Sequence, residues 1–157
     1  MANPTITPKF PTLLATPLGW IPVSVHSTAI AFALNHIFSS QICSGELDFL
    51  ADRTLAIQAP DARLTFRVSL SNGQLVASEK TPDLVIGGSV YDLLLLGTGR
   101  EDPDTLFFQR RLTLDGDTEL GLYVKNFLNA QDLSSLLPVP MRGLLPHLAP
   151  MYARLFG

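Results

Sequence analysis

The side chains that could do acid–base, nucleophilic or metal chemistry are few and widely separated. The histidines are His26, His36 and His147, and the single cysteine is Cys43. A nucleophilic site needs a serine or cysteine beside a base, and a metal site needs several ligands at short spacing. Neither pattern surrounds these residues. We therefore expect structural or surface histidines, and a Cys43 that is a small apolar residue near a helix end.

Two acidic groups could supply paired carboxylates for general acid–base catalysis, but helix capping explains both. Asp102 precedes Pro103, which suits an N-cap followed by the first helical position, and negative charge stabilises the first turn of a helix. Gly97-Thr98-Gly99 matches neither a dinucleotide motif nor a phosphate loop. We expect no enzyme, no metal and no cofactor. The two acidic groups are Glu101, Asp102 and Asp104, and Asp115, Asp117 and Glu119.

A pair of cations, Arg110 and Arg111, follows the aromatic pair Phe107 and Phe108. A cation at the rim of an apolar pocket can hold a phosphate or carboxylate head group. A position on an edge strand or in a salt bridge would account for the same residues structurally. Arg110 and Arg111 are therefore head-group candidates, with both interpretations open.

The composition indicates a large core or apolar surface that is available to bind a ligand, a partner or a membrane. Hydrophobic residues make up 46% of the 157 residues and charged residues 16%, whereas about 25% charged is usual. The net charge of −3 argues against a nucleic-acid binder, and one cysteine suits a reducing cytoplasm. Prolines interrupt the start of the chain, and no apolar run reaches the roughly 18 residues of a membrane span. We expect a cytoplasmic protein, with any membrane association peripheral.

Periodicity divides the chain into a proline-rich arm at 1–22, helices, and strands. A first long helix is predicted at about 25–42, capped by Ser24. Its buried stripe consists of Ile30, Leu34, Ile37 and Phe38. Ser44-Gly45 ends this helix, and a short helical turn follows at 46–50.

Four strands are predicted next, as an antiparallel meander with one solvated face. The hairpin signal Asn72-Gly73 joins the second strand to the third. A fifth strand, at about 110–115, returns to the sheet at a place that the pattern does not specify. The fold class is thus α+β with five strands. The first four strands are predicted at Thr54–Gln58, Arg63–Leu70, Gln74–Ser78 and Asp83–Gly87.

Three helical segments carry more apolar surface than a small five-stranded core needs. One runs at about 90–98 behind the capping pair Ser89 and Asp92, one follows Asp102, and one follows Asp117. Each buried CH₂ of a lipid tail contributes about 0.8 kcal/mol, so a container for such a tail needs few polar groups. We interpret these segments as the wall of an apolar binding site. Its candidate lining residues are Leu93, Leu94, Leu96, Phe107, Phe108, Leu120, Tyr123, Val124, Phe127 and Leu128.

The tail, 134–157, keeps helical spacing but is interrupted by prolines. One interpretation is a series of short helical turns packed on the domain. The other is a detachable amphipathic segment that covers a ligand opening or lies on a membrane. The lid candidates are Leu144, Leu148, Tyr152, Leu155 and Phe156, and the prolines are Pro138, Pro140, Pro146 and Pro150.

Three stretches resemble a known family. The stretch EDPDTLFFQRRLTLDGDTELGLYVKN, at Glu101–Asn126, is similar to bacterial ubiquinone biosynthesis accessory factors of the sterol carrier protein type 2 class. GELDFLADRTLAIQAPD at Gly45–Asp61 and SVYDLL at Ser89–Leu94 are also similar. The resemblance covers about residues 25–130 and leaves out the arm and the tail after Asp132.

The resemblance implies a sterol carrier protein type 2-like fold, with a five-stranded, mainly antiparallel sheet and helices around a hydrophobic tunnel. It implies a lipid-binding domain at 23–133 that binds polyprenylated quinone precursors or phospholipid without catalysis. The setting would be the O₂-independent branch of ubiquinone synthesis, with UbiU and UbiV, which carry the iron–sulfur chemistry, as partners.

Two alternatives remain open beside the lipid carrier. In one, the chain is a structural interaction module that scaffolds a biosynthetic complex without carrying lipid. In the other, it contributes a substrate-binding domain to another protein's active site. The identity of the lipid, the role of the tail and a possible homodimer are not specified by the residues.

Overall fold

A computed structural model describes residues 8–136 and 139–156. The elements are eight helices and five strands in these two ranges, with short 3₁₀ turns at Asp48–Leu50 and Pro60–Ala62. In chain order they are α1 (Thr12–Trp20), α2 (Val23–Ile37), α3 (Ser39–Cys43), β1 (Leu55–Ala59), β2 (Leu64–Ser71), β3 (Gln74–Ala77), β4 (Leu84–Gly88), α4 (Val90–Gly97), α5 (Pro103–Phe108), β5 (Leu112–Gly116), α6 (Thr118–Ala130), α7 (Leu133–Leu136) and α8 (Val139–Phe156).

The five strands form one sheet in the order β3-β2-β1-β4-β5. The predicted α+β class and the mainly antiparallel sheet are confirmed, but the four-strand meander is wrong. β4 does not pair with β3; it crosses to the far side of β1 and lies parallel to it. Asp83 fixes this crossing, because its N–H donates to the carbonyl of Thr54 at 2.8 Å and its carboxylate accepts from the N–H of Thr54 at 2.8 Å.

The helices in the first half of the chain have different boundaries from those predicted. The arm contains α1, and α2 begins at Val23 behind Pro22, so the predicted cap Ser24 lies inside the helix. The single helix predicted at 25–42 is two helices. Phe38 separates them with a non-helical backbone (φ −103°, ψ 23°), which turns its side chain into the core.

The core lies between one face of the sheet and the helices. Alternate residues of the strands point to it, among them Val68, Leu84 and Leu112, which are at most 2% exposed. Gly121 of α6 lies against the sheet: a Cβ there would lie 3.6 Å from Leu84 Cδ1. The other face carries polar side chains such as that of Thr65, as the alternation predicted.

Helix α2 also covers the outer edge of β3. Asn35 Nδ2 donates to the carbonyl of Leu75 and Asn35 Oδ1 accepts from the N–H of Leu75, both at 2.7 Å. About two turns earlier on α2, Ser27 Oγ accepts from the N–H of Arg67 at 2.8 Å. Two side chains of one helix thus satisfy backbone groups that a sheet edge would expose.

The three predicted helix starts after β4 are confirmed. Ser89, Asp102 and Asp117 are the N-caps of α4, α5 and α6, and each side chain accepts from the N–H three residues later. Local spacing alone was enough to locate them.

The tail is α7 followed by the single helix α8, rather than the short turns that one interpretation predicted. α8 runs through Pro146 and Pro150, while Pro138 lies outside the described residues. Over residues 8–136 and 139–156, no single helix is long and apolar enough to cross a membrane. α1 and α2 reach that length only as a pair, with a bend of 98° between them.

Candidate functional site

Most of the candidate lining residues come together around α4, α5 and α6. Leu96, Leu120 and Val124 belong to the buried core cluster and are 9%, 0% and 4% exposed. Four more candidates pack against this cluster and are partly buried; they are Leu93, Phe107, Phe127 and Leu128. Leu94 is partly buried as well. Seven of the ten candidates therefore lie in the apolar core or pack against it.

An aromatic cluster joins α6 to the segment after α2. The ring of Phe127 lies 5.3 Å from that of Phe38 and 6.1 Å from that of Phe49. Phe49 also stacks on Tyr123 at 5.9 Å, which holds this 45% exposed candidate at the margin of the group. Sequence reasoning did not include Phe38 and Phe49 among the lining residues. Both were visible as apolar positions of predicted helical segments, but their distance from α6 along the chain hid the contact.

Phe108 does not belong to the wall. Its side chain is 90% exposed, whereas Leu106 on the same helix is fully buried. Consecutive residues on a helix point about 100° apart, so the pair Phe107-Phe108 cannot face one compartment together. Phe107 turns inward, and Lys125 Nζ lies 5.7 Å from the centre of its ring.

The two head-group candidates, Arg110 and Arg111, lie in different surroundings. Arg111 forms an ion pair with Asp92 of α4, through both Nε and Nη2, in a partly buried position. The salt-bridge interpretation is therefore correct for Arg111, and it is not free to hold a ligand. Arg110 is exposed and has a left-handed backbone (φ +59°) at the turn before β5.

The arm, α4 and α8 meet at Asp61. Its Oδ2 accepts from the N–H of Phe10 at 3.2 Å, and its Oδ1 accepts from the N–H of Val90 at 3.2 Å. The ring of Phe10 lies 6.4 Å from that of Tyr152 on α8, and Tyr91 of α4 stacks on Tyr152 at 6.0 Å. The two ends of the described chain are thus attached to one place on the domain.

The lid candidates on α8 divide into two faces. Tyr152 is buried and Phe156 is partly buried, with their rings 5.0 Å apart. Leu144 and Leu155 are 68% and 66% exposed. Leu148 is partly buried. α8 therefore covers α4 with one face and presents an apolar second face.

Burial raises the pKa of the Tyr152 hydroxyl to about 12, and the negative charge of Asp61 adds to the effect. Within the described part of the chain, Tyr152 Oη has no hydrogen-bond partner. The hydroxyl therefore stays protonated in the folded chain well above the pH at which an exposed tyrosine ionises.

The remaining chemistry-bearing residues have structural surroundings. His26 Nε2 lies 3.0 Å from the carbonyl of Leu18, and its ring meets Phe66 edge-on. Cys43 ends α3 and is exposed. Across residues 8–136 and 139–156, no group of three or more His, Cys, Asp or Glu side chains is arranged to hold a metal ion.

Two open clefts lie away from the candidate wall. The first, of about 430 Å³, lies between α2, α3 and the β2–β3 turn and is lined by Phe32, His36 and Ile42 among others. The second, of about 480 Å³, lies at the start of α2, next to Arg67 and Glu79. Neither is lined by a candidate lipid-binding residue.

Comparison with known proteins assigns the chain to a family. Residues 34–129 match the SCP-2 sterol transfer family. The chain is 40% identical over 140 residues to the ubiquinone biosynthesis accessory factor UbiT of Escherichia coli (strain K12), covering 88% of this chain and 80% of that protein. The corresponding protein of Escherichia coli O157:H7 has the same identity and coverage.

Among solved structures, the ubiquinone synthesis protein UbiJ-SCP2 is similar with a TM-score of 0.53. It is 14% identical, and the match covers 67% of this chain and 94% of that one, so it bears on the fold alone. The resemblance inferred from Glu101–Asn126 is confirmed by these matches. The chain belongs to the SCP-2 sterol transfer family, in the group that contains the ubiquinone biosynthesis accessory factors UbiT.

Proposed function

We propose that the chain is a non-catalytic accessory factor of ubiquinone biosynthesis that binds polyprenylated quinone intermediates or phospholipids. The observation that carries the proposal is the 40% identity, over 88% of the chain, to an accessory factor of that pathway. The match spans α4, α5 and α6, where the candidate lining residues lie.

The packing around α6 supports a hydrophobic tunnel for a lipid tail at this place. Leu93, Phe107, Phe127 and Leu128 are only partly buried against the core. A tail that slides between these side chains would remove their remaining apolar surface from water without breaking a hydrogen bond. Binding of that kind depends on shape and on the exclusion of water.

The resemblance to the accessory factors also supports a setting. We place the chain in the O₂-independent branch, with UbiU and UbiV as partners, in the cytoplasm and in peripheral contact with a membrane. A carrier in this setting would present insoluble intermediates to the enzymes that modify them.

Lipid extraction of the purified full chain, followed by mass spectrometry, tests the proposal. We expect prenylquinone or phospholipid in near-stoichiometric amount. A protein that is reproducibly empty, and that takes up neither lipid from vesicles, would overturn the proposal.

A second candidate function is a structural interaction module. The observation that favours it is the tight packing of the core, where Leu106, Leu112 and Leu120 are at most 2% exposed. Deletion of residues 134–157 separates the two candidates. Loss of partner assembly with lipid binding intact would support the scaffold, whereas loss of lipid or of membrane retention would support the carrier.

A third possibility is that the chain is a subunit that contributes a substrate-binding domain to another enzyme. The activity of the reconstituted complex would then require the chain but survive mutation of all its histidines.

A further inference from the structure

Charge is strongly segregated along the chain. All 14 acidic residues lie between Glu46 and Asp132. The eight basic residues in the same interval leave it with a net charge of −6, whereas Lys9, Arg142 and Arg154 give the two flanking segments +3. A protein with a net charge of −3 therefore has two terminal segments without a single carboxylate side chain.

The exposed apolar side chains follow the same division. Ten of the thirteen large hydrophobic residues that are exposed in the described part of the chain lie in the flanking segments. Leu13 and Trp20 of α1 are 87% and 82% exposed. Apolar surface of this extent marks an interaction site on a monomer.

On each terminal helix, apolar residues that are exposed or partly buried form a stripe. Leu13, Pro17 and Trp20 are spaced i, i+4, i+7 on α1, opposite Ala15, which is 2% exposed. On α8, the apolar residues of the outer face are spaced i, i+4, i+7, i+11, opposite Ala149, which is 1% exposed. This second stripe consists of Leu144, Leu148, Met151 and Leu155.

The fold attaches the two helices at one place. Phe10, two residues before α1, packs its ring 6.4 Å from both Tyr152 and Phe156 of α8. Asp61 holds the backbone of Phe10 from the other side. The segment that leads into α1 is thus packed against the end of α8, and the two stripes belong to elements that are attached at one place.

We propose that the outer stripes of α1 and α8 form one surface that docks the protein on an anionic lipid bilayer. The inference deepens the proposed function, because a carrier of insoluble lipid must meet a bilayer, but it does not depend on which cargo is carried. Apolar side chains would enter the interfacial region, and Trp20 would lie at the level of the head groups. Lys9 and Arg154, which are exposed, would be attracted to anionic lipid, while the acidic central segment stays away from it.

Charge complementarity selects a bilayer over a second copy of the chain. A symmetric contact would bring the positive terminal segments of two copies together, which like charges oppose. An anionic bilayer supplies both the apolar phase and the opposite charge.

The single tryptophan of the chain provides the measurement. We expect the fluorescence of Trp20 to shift to the blue with vesicles of phosphatidylcholine and phosphatidylglycerol. The full chain should float with these vesicles, and more weakly with phosphatidylcholine alone. The double variant Leu144→Ser/Leu155→Ser should lower partitioning about tenfold or more, since two large apolar side chains are lost from the docking surface. Raising the salt concentration should weaken binding to the anionic vesicles.

Leu122→Ser is the matched control, because Leu122 is 59% exposed on α6 within the acidic interval. It should leave partitioning unchanged. Absence of vesicle binding, or an equal loss in Leu122→Ser, would overturn the proposal. So would a Trp20 shift that follows protein concentration rather than vesicles, because it would indicate a second copy as the occupant. Lipid content measured on the same preparations distinguishes the two proposals. A chain that contains lipid but does not bind vesicles would contradict only the docking surface. A chain that contains no lipid but binds vesicles would contradict only the proposed cargo.

Discussion

The guanidinium of Arg111 and the carboxylate of Asp92 join the start of β5 to the first turn of α4. Arg111 Nε donates to Asp92 Oδ1 at 2.8 Å, and Ser89 Oγ donates to Asp92 Oδ2 at 2.8 Å. The Asp92 side chain is 5% exposed and that of Arg111 18%. One carboxylate thus completes a helix cap and fixes the strand beside it.

The substitution Asp92→Ala should lower the free energy of unfolding by about 3 kcal/mol, because it leaves a partly buried cation unpaired and weakens the cap. Urea denaturation measures the change. The matched control is Asp104→Ala, which removes the exposed pair with Lys125 (3.6 Å) and should cost less than about 1 kcal/mol. Equal losses in the two variants would contradict a structural role for the Arg111–Asp92 pair.

The raised pKa of Tyr152 predicts a loss of stability at alkaline pH. The unfolded chain releases this proton near pH 10.0, whereas the folded chain holds it up to about pH 12. Unfolding therefore releases a proton in that window, and the free energy of unfolding falls as the pH rises through it. Below pH 10 the contribution is fully present.

Thermal unfolding from pH 9 to pH 12 should show this decline in the native chain and a smaller one in Tyr152→Phe. At neutral pH, Tyr152→Phe should cost little, since Oη has no hydrogen-bond partner among the described residues. Tyr123→Phe, at a residue 45% exposed, is the control and should keep the native decline. If Tyr152→Phe lost stability with rising pH as much as the native chain does, the decline would be due to another titrating group.

Gly116 ends β5 with a backbone that only glycine adopts readily (φ +126°), and a Cβ there would lie 2.3 Å from the carbonyl oxygen of Asp83. Gly116→Ala should therefore lower the free energy of unfolding by about 3 kcal/mol. Gly97→Ala is the control, because nothing lies within 4 Å of the new Cβ at the end of α4. It should be neutral or stabilise by up to about 1 kcal/mol. Chemical denaturation of both variants tests the contrast.

Helix α6 offers a matched pair for the proposed lipid site. Leu128 packs against the core from the inner face, and Leu122 is 59% exposed. Leu128→Lys should lower the extracted lipid severalfold, because a charge would have to be desolvated along the tail. Leu122→Lys should retain it. Circular dichroism and thermal unfolding check that both variants are folded. Equal lipid content in the two variants would show that the bound lipid does not lie against the inner face of α6.

Local signals predicted much of this fold. Ser89, Asp102 and Asp117 were identified as caps because a cap depends on side chains within a few residues of the helix start. The Asn72-Gly73 turn was equally local: both residues have positive φ, at 52° and 71°, and connect β2 to β3. Alternation also separated the two faces of the strands.

Contacts between distant segments were not predictable in the same way. The parallel neighbour of β1 depends on a pair of hydrogen bonds between Thr54 and Asp83, 29 residues apart. The partner of Arg111 is Asp92, which by its spacing looked like a capping residue only. The outward turn of Phe108 depends on how α5 is rotated against α6, which apolar content does not reveal. Sequence thus identified the elements and the apolar group, while the pairing of strands and charges required the structure.

The two hydrogen bonds between Asn35 and Leu75 have a consequence for assembly. Through them the side-chain amide of one helical residue imitates a neighbouring strand, offering a donor and an acceptor where β3 would otherwise pair with another chain. Growth of the sheet on that side is blocked, and with it the commonest route by which exposed strands polymerise. β5 is the opposite edge of the sheet, so we expect a strand added by a partner to join there.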